Sequence, residues 1–172
     1  MPCRLIAPGR RHDLREVRRG GAQRPSFDEA CESIAREPGA IRSIFPAAAR
    51  RWGGGPSLFE GWGVEDVTRV LLVAALPLTG DDLAAEVEAL YRAGGADEKR
   101  AVLLALALLG DELGDRALAL VLDALGTDEP HLVTAALGAY AARWLPPGAD
   151  PRARPPCPPA GTAPGFDDDR RP

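Results

Sequence analysis

The feature that most constrains the fold is the stretch DEKRAVLLALALLGDE at residues 97–112, in which nine apolar residues run unbroken from 101 to 109 between charged clusters. Crossing a bilayer takes about 20 largely apolar residues, so this run is too short to span a membrane. A helix that is apolar on nearly every face has to be covered by neighbouring helices on both sides. We therefore expect the inner helix of an all-helical domain here.

The sequence around this stretch predicts further helices with short connections. Apolar residues recur at helical spacing in VEDVTRVLLVAAL from residue 64 and in TGDDLAAEVEALYRA from residue 79. One more helix is expected from about Gly114 to Leu125, and a last one is expected with Thr127 or Asp128 as its N-cap and Pro130 in its first turn. Loops of about three to five residues make neighbouring helices antiparallel hairpins.

The predicted helices also repeat at a regular interval. Alternate helices start near residues 64, 97 and 129, or about every 32 residues, and DEKRAVLLALA aligns with DEPHLVTAALG. A recurring helical hairpin of this length is typical of an α-solenoid. The predicted fold is all-α: antiparallel helical hairpins stacked as a short HEAT-like α-solenoid with disordered termini. A plain helical bundle is the alternative.

Two shorter helices are predicted before the repeats. SFDEACESIARE begins a helix with Ser26 as N-cap and Glu29 completing a capping box. AIRSIFPAAARRW follows as a second helix with a break or restart at Pro46, and GGGPSLFEGWG after it is a loop by its turn residues.

The two ends of the chain differ from this middle part in composition. Residues 1–24 contain seven arginines against Asp13 and Glu16, and we expect a disordered basic leader. Residues 147–172 are rich in proline and lack an apolar period, which predicts a disordered tail. The helical-repeat domain is therefore expected over residues 25–146.

Composition also bears on location and on partners. Three cysteines without a C-x-x-C pair indicate neither a disulfide framework nor a zinc site, and the first residues lack the apolar segment of a secretory signal. We expect a cytoplasmic protein without a transmembrane segment. Residues 64–145 carry 14 acidic and six basic side chains, which argues against nucleic acid as a partner.

Residues for catalysis are few. The chain has two histidines, four serines, five threonines and no asparagine. Acidic pairs such as Glu65 with Asp66 and Asp97 with Glu98 lie mostly at predicted helix starts, where carboxylates satisfy free N–H groups and favour the helix dipole. We therefore expect no catalytic residues, no metal site, no cofactor and a non-enzymatic protein.

A more distinctive segment is RRWGGGPSLFEGWG at residues 50–63. It brings Arg50, Arg51, Trp52, Phe59 and Trp62 into one loop region, and arginine and aromatic side chains are those that anchor interfaces. The segment is a candidate site for a partner or an anionic ligand. The alternative is that its aromatic side chains fold back onto the helices.

Longer segments of the chain resemble a known family. ACESIAREPGAIRSIFPAAARRWGGGP, ALPLTGDDLAAEVEALYRAGGADEKRAVL and ALGAYAARWLP resemble the EboA-domain family, named from the Ebo operon, over residues 26–146. Arg42, Phe45, Pro46 and Arg50 match the recurring arginine and FP positions of that family. The candidate ligand- or partner-binding residues are Arg42, Arg50, Arg51, Trp52, Trp62 and Arg143.

The resemblance implies a function. It implies an all-helical protein that assists the traffic or handling of a biosynthetic precursor, beside enzymes of the same operon or pathway and a prenyltransferase-like membrane partner. Two alternatives are an enzyme or subunit acting on a sugar-phosphate or isoprenoid precursor, and a general protein-interaction scaffold. Family members continue into further helices where this chain becomes proline-rich, so we expect a truncation or shifted reading frame, leaving the last helix with an exposed apolar face.

Overall fold

A computed structural model describes residues 24–54 and 61–146 of the chain. The predicted tail at 147–172 lies outside the described residues, as does the predicted leader apart from Arg24, which begins the first helix. The predictions of disorder at both ends therefore stay predictions.

The described part of the chain is built from helices, and none of its residues lies in a β-strand. The all-α prediction is confirmed. A single 3₁₀ turn within these ranges, Pro38–Ala40, joins the first two helices. In chain order the helices are α1 (Arg24–Arg36), α2 (Ile41–Trp52), α3 (Val64–Val73), α4 (Gly80–Ala93), α5 (Ala96–Leu113), α6 (Leu118–Leu125), α7 (Pro130–Ala136) and α8 (Ala139–Trp144).

The apolar stretch forms most of α5, which lies at the centre of the fold. This helix packs against α3, α4, α7 and α8. Seven of the nine residues of the run are buried, and Leu104 and Ala107 are partly buried. The stretch is therefore covered by protein on several sides, as a helix apolar on nearly every face requires.

Three helices form a row through the core. Helices α3, α5 and α7 begin at Val64, Ala96 and Pro130, and α5 contacts both of the others. Each member of the row also packs against the helix that precedes it in the chain: α2 on α3, α4 on α5 and α6 on α7. Pairs of this kind thus recur along the chain at about the predicted repeat length.

The N-terminal helices differ from two predictions. Helix α1 begins at Arg24, so Ser26 lies inside its first turn, and the predicted N-cap is wrong. Helix α2 runs without a break through Pro46, although proline removes one backbone hydrogen bond. The pyrrolidine ring is exposed, whereas the buried face of α2, which includes Phe45 and Ala48, packs into the core and holds the helix.

The C-terminal helices also differ. The sixth helix starts at Leu118 and not near Gly114, because residues 114–117 form a turn in which Gly114 has φ of +60°. The last predicted helix is divided into α7 and α8. The hydroxyl of Tyr140 in α8 donates to the carbonyl of Gly114 at 2.6 Å and accepts from the N–H of Ala117 at 3.0 Å. This side chain thereby holds α8 against the turn between α5 and α6.

Candidate functional site

Two of the predicted site residues are engaged in ion pairs between helices. The guanidinium of Arg42 on α2 donates to both carboxylate oxygens of Glu86 on α4, at 2.9 and 2.8 Å. The hydrogen bond and the charge of Glu86 raise the pKa of Arg42 above its usual value. Arg143 pairs with Asp111 at 2.5 Å. Both arginines therefore already have a carboxylate partner.

The predicted aromatic residues lie against the core. Trp52 is buried, its ring meets that of Phe27 edge-on at 5.4 Å between centroids, and its Nε1 donates to Ser26 Oγ at 3.1 Å. Trp62 is partly buried and packs against the core residues. For these two side chains, folding back onto the helices describes the structure better than an exposed interface does.

The predicted arginines at the end of α2 are exposed. Arg50 and Arg51 both lie in the last turn of that helix. The guanidinium carbon of Arg51 lies 5.7 Å from the centre of the Trp52 ring, which is within the range of a cation–π contact. Of the six predicted residues, the structure brings Arg51 and Trp52 together at one place.

That place is an open groove between α1 and α2. Its volume is about 560 Å³, and it is lined by Ser26, Glu29, Ala30, Ser33, Ile44, Arg51 and Trp52. The four lining residues from α1 recur at intervals of three and four, so they share one face of that helix. Sequence reasoning missed this polar face. The helical spacing of Ser26, Glu29 and Ser33 was the signal that could have revealed it.

The charged side chains in the groove differ from the six arginines whose carboxylate partners the structure shows. Carboxylates pair with the arginines at positions 42, 69, 92, 100, 116 and 143. By contrast, within the described ranges neither Arg51 nor Glu29 takes part in an ion pair, although both line the groove. The groove thus presents a positive and a negative side chain that form no ion pair with each other.

A second polar cluster, also missed, joins α3 to α5. Arg100 donates to the carboxylate of Asp66 and, at 2.6 Å, to the carbonyl of Gly61. Asp66 is only 5% exposed and also accepts from the N–H of Gly63 at 2.8 Å. Because all its groups bind one another, the cluster fits a structural role: it fixes the end of the 53–63 segment to the helices.

Helix capping by the acidic pairs is confirmed for two members. Asp66 accepts from the backbone N–H three residues before it, and Glu98 accepts from the N–H of Gly95 at 2.6 Å. The prediction for the last helix is wrong in detail, because Glu129 takes the N-cap position without a side-chain hydrogen bond. Among the described residues, no group of three or more histidine, cysteine or acidic side chains is placed to hold a metal ion.

Several polar contacts connect residues whose separation in the chain is close to the predicted repeat length. Asp66 and Arg100 are 34 residues apart, whereas Tyr91 and Asp123 are 32 apart, like Asp111 and Arg143. Each contact joins two helices that do not follow one another in the chain, so these polar groups hold distant parts of the described fold together.

None of the helices in the described ranges has the length and apolar character needed to cross a bilayer. Comparisons of the chain with protein-family models, with curated proteins and with solved structures find no match. The resemblance to the EboA-domain family consequently stays a prediction.

Proposed function

We propose that this protein is a non-enzymatic helical-repeat protein that binds a biosynthetic precursor and assists its handling, the role that the resemblance to the EboA-domain family implies. The proposal includes the stacking of its hairpins as a short HEAT-like solenoid. It also includes a cytoplasmic location and partners encoded in the same operon or pathway.

The observation that carries the proposal is the groove between α1 and α2. Small-molecule sites are concave, have volumes of roughly 300 to 1,000 Å³, and combine apolar walls with a few polar groups. The groove has about 560 Å³ and combines the Trp52 ring and Ile44 with Arg51 and Glu29. It therefore has the size and the mixed lining of a binding site for a small metabolite.

The repeat spacing of the polar contacts supports the helical-repeat part. In a solenoid each repeat contacts its neighbours, so interactions between equivalent surfaces recur at the repeat length. Contacts at separations of 32 and 34 residues agree with this expectation. Six of the arginines in the described ranges pair with carboxylates, which suits a scaffold.

The test is retention of a precursor without conversion. The full chain is dialysed to equilibrium against a mixture containing glucose 6-phosphate and geranyl diphosphate, which represent the sugar-phosphate and isoprenoid classes, and both compartments are measured by mass spectrometry. We expect one compound to be enriched on the protein side at a stoichiometry near one, with its mass unchanged.

The other outcomes are equally informative. Appearance of a product of different mass would support the enzyme alternative instead. Equal concentrations of every compound on both sides, with a helical circular dichroism spectrum showing folded protein, would contradict metabolite handling and leave the interaction scaffold as the better account.

A further inference from the structure

We infer that the groove between α1 and α2 takes a phosphorylated polyol, with its phosphate on Arg51 and its hydroxyl groups on Glu29 and Ser33. This inference rests on the proposed function and names the class of ligand for the same groove.

The arginine determines where an anion binds. Arg51 is exposed, lines the groove and has no ion pair within the part of the chain that the structure describes. Its guanidinium carbon lies 5.7 Å from the centre of the Trp52 ring, and this cation–π contact orients the side chain. A planar fork of donors matches the oxygens of a phosphate better than a point charge does.

The opposite wall determines what the rest of the ligand carries. Glu29 and Ser33 lie four residues apart on α1, so their side chains are neighbours on the face that lines the groove. An ionised carboxylate only accepts hydrogen bonds, and a serine hydroxyl both donates and accepts. A ligand with several hydroxyl groups satisfies both, whereas a purely anionic ligand would be repelled by Glu29.

The remaining lining suits the carbon skeleton of such a ligand. Ala30, Ile44 and the largely buried Trp52 supply the apolar part of the lining. C–H groups of a polyol can pack there while its hydroxyl groups reach α1. An isoprenoid diphosphate fits less well, because a long apolar tail would lie beside Glu29 and Ser33.

The experiment is calorimetric titration of the full chain at low salt with glucose 6-phosphate, glucose and inorganic phosphate. We expect glucose 6-phosphate to bind more tightly than either fragment. Arg51→Ala should weaken its binding about tenfold or more, because a charge-assisted hydrogen-bonded pair is lost. Glu29→Gln should weaken the binding of glucose 6-phosphate, whereas the binding of inorganic phosphate should stay unchanged or improve.

The matched control is Arg36→Ala, an exposed arginine on α1 whose Nε donates to the carbonyl of Glu32. It removes the same charge and should leave the affinity unchanged. Equal binding of glucose 6-phosphate by the wild type and by Arg51→Ala, or no binding by a folded wild type, would overturn the inference. If the dialysis retains geranyl diphosphate while glucose 6-phosphate does not bind, the ligand class is wrong and the proposed function stands. If nothing is retained, the proposed function itself fails.

Discussion

Replacing Arg100 with methionine tests whether the cluster of Asp66 and Arg100 holds α3 to α5. Methionine keeps much of the side-chain volume and removes the guanidinium. The Asp66 carboxylate, 5% exposed, then keeps the N–H of Gly63 and loses its counter-charge. Breaking a buried ion pair by removing one partner costs about 3–5 kcal/mol, because the remaining charge is buried and uncompensated. Since the Arg100 side chain is 19% exposed, we expect a loss near the lower limit, about 3 kcal/mol.

The assay is urea unfolding of the full chain followed by circular dichroism, with the free energy of unfolding extrapolated to water. Arg143→Met is the matched control, because Arg143 also pairs with a distant aspartate, 32 residues away. Its side chain and that of Asp111 are 55% and 64% exposed. An exposed pair is worth about 0 to 1 kcal/mol, so the control should change stability little.

A further variant separates charge from packing. Adding Asp66→Asn to Arg100→Met removes the uncompensated charge, so the double variant should recover part of the lost stability. If Arg100→Met costs no more than Arg143→Met, the Asp66 carboxylate is hydrated in solution, and the reasoning about a buried, stabilising join is refuted.

Three more experiments, with five variants, test other parts of the fold. Burial and a hydrogen bond to a carboxylate raise the pKa of Tyr91, so the folded state holds this proton more tightly than the unfolded state. The resulting stability is complete below about pH 10 and is lost as the pH rises above it, and Tyr91→Phe should therefore show a smaller fall in melting temperature in that range than the wild type. Gly114 has φ of +60°, so Gly114→Ala should lower the free energy of unfolding in urea by about 1–3 kcal/mol. Gly39 has open space where the added carbon would lie, so Gly39→Ala should cost much less. Similar costs for the two variants would contradict the backbone argument. Leu106 on α5 is 1% exposed, so Leu106→Ala should lower the free energy of unfolding by about 2–5 kcal/mol. Leu104 is only partly buried, so Leu104→Ala should cost clearly less. The reverse order would mean that the buried face of α5 is assigned wrongly.

The fold was predictable where the local pattern was strong. The apolar stretch in α5 indicated a helix covered on several sides, because a helix that is apolar on nearly every face has to be shielded from water by its neighbours. The starts of α3, α5 and α7 followed from apolar spacing and turn residues. Helix boundaries were less predictable. A break was predicted at Pro46, but this residue lies inside α2 because tertiary packing of the opposite face outweighs the local cost of proline.

The candidate site was predictable only in part. Arg51 and Trp52 stood out by residue type, and both line the groove. Glu29 and Ser33 did not stand out, because single polar residues on a surface helix are usual. Arg42 and Arg143 resembled ligand-binding arginines in sequence, whereas the structure pairs each with a carboxylate on another helix.

The sequence by itself determined that this part of the chain is helical and where most of its helices lie, because apolar periodicity and turn residues act over a few neighbouring positions. Only the tertiary structure decided which polar groups meet: Asp66 with Arg100 across 34 residues, and Trp52 with Ser26 across 26. Such contacts depend on the rotation and crossing angle of each packed helix, and local spacing leaves both undetermined.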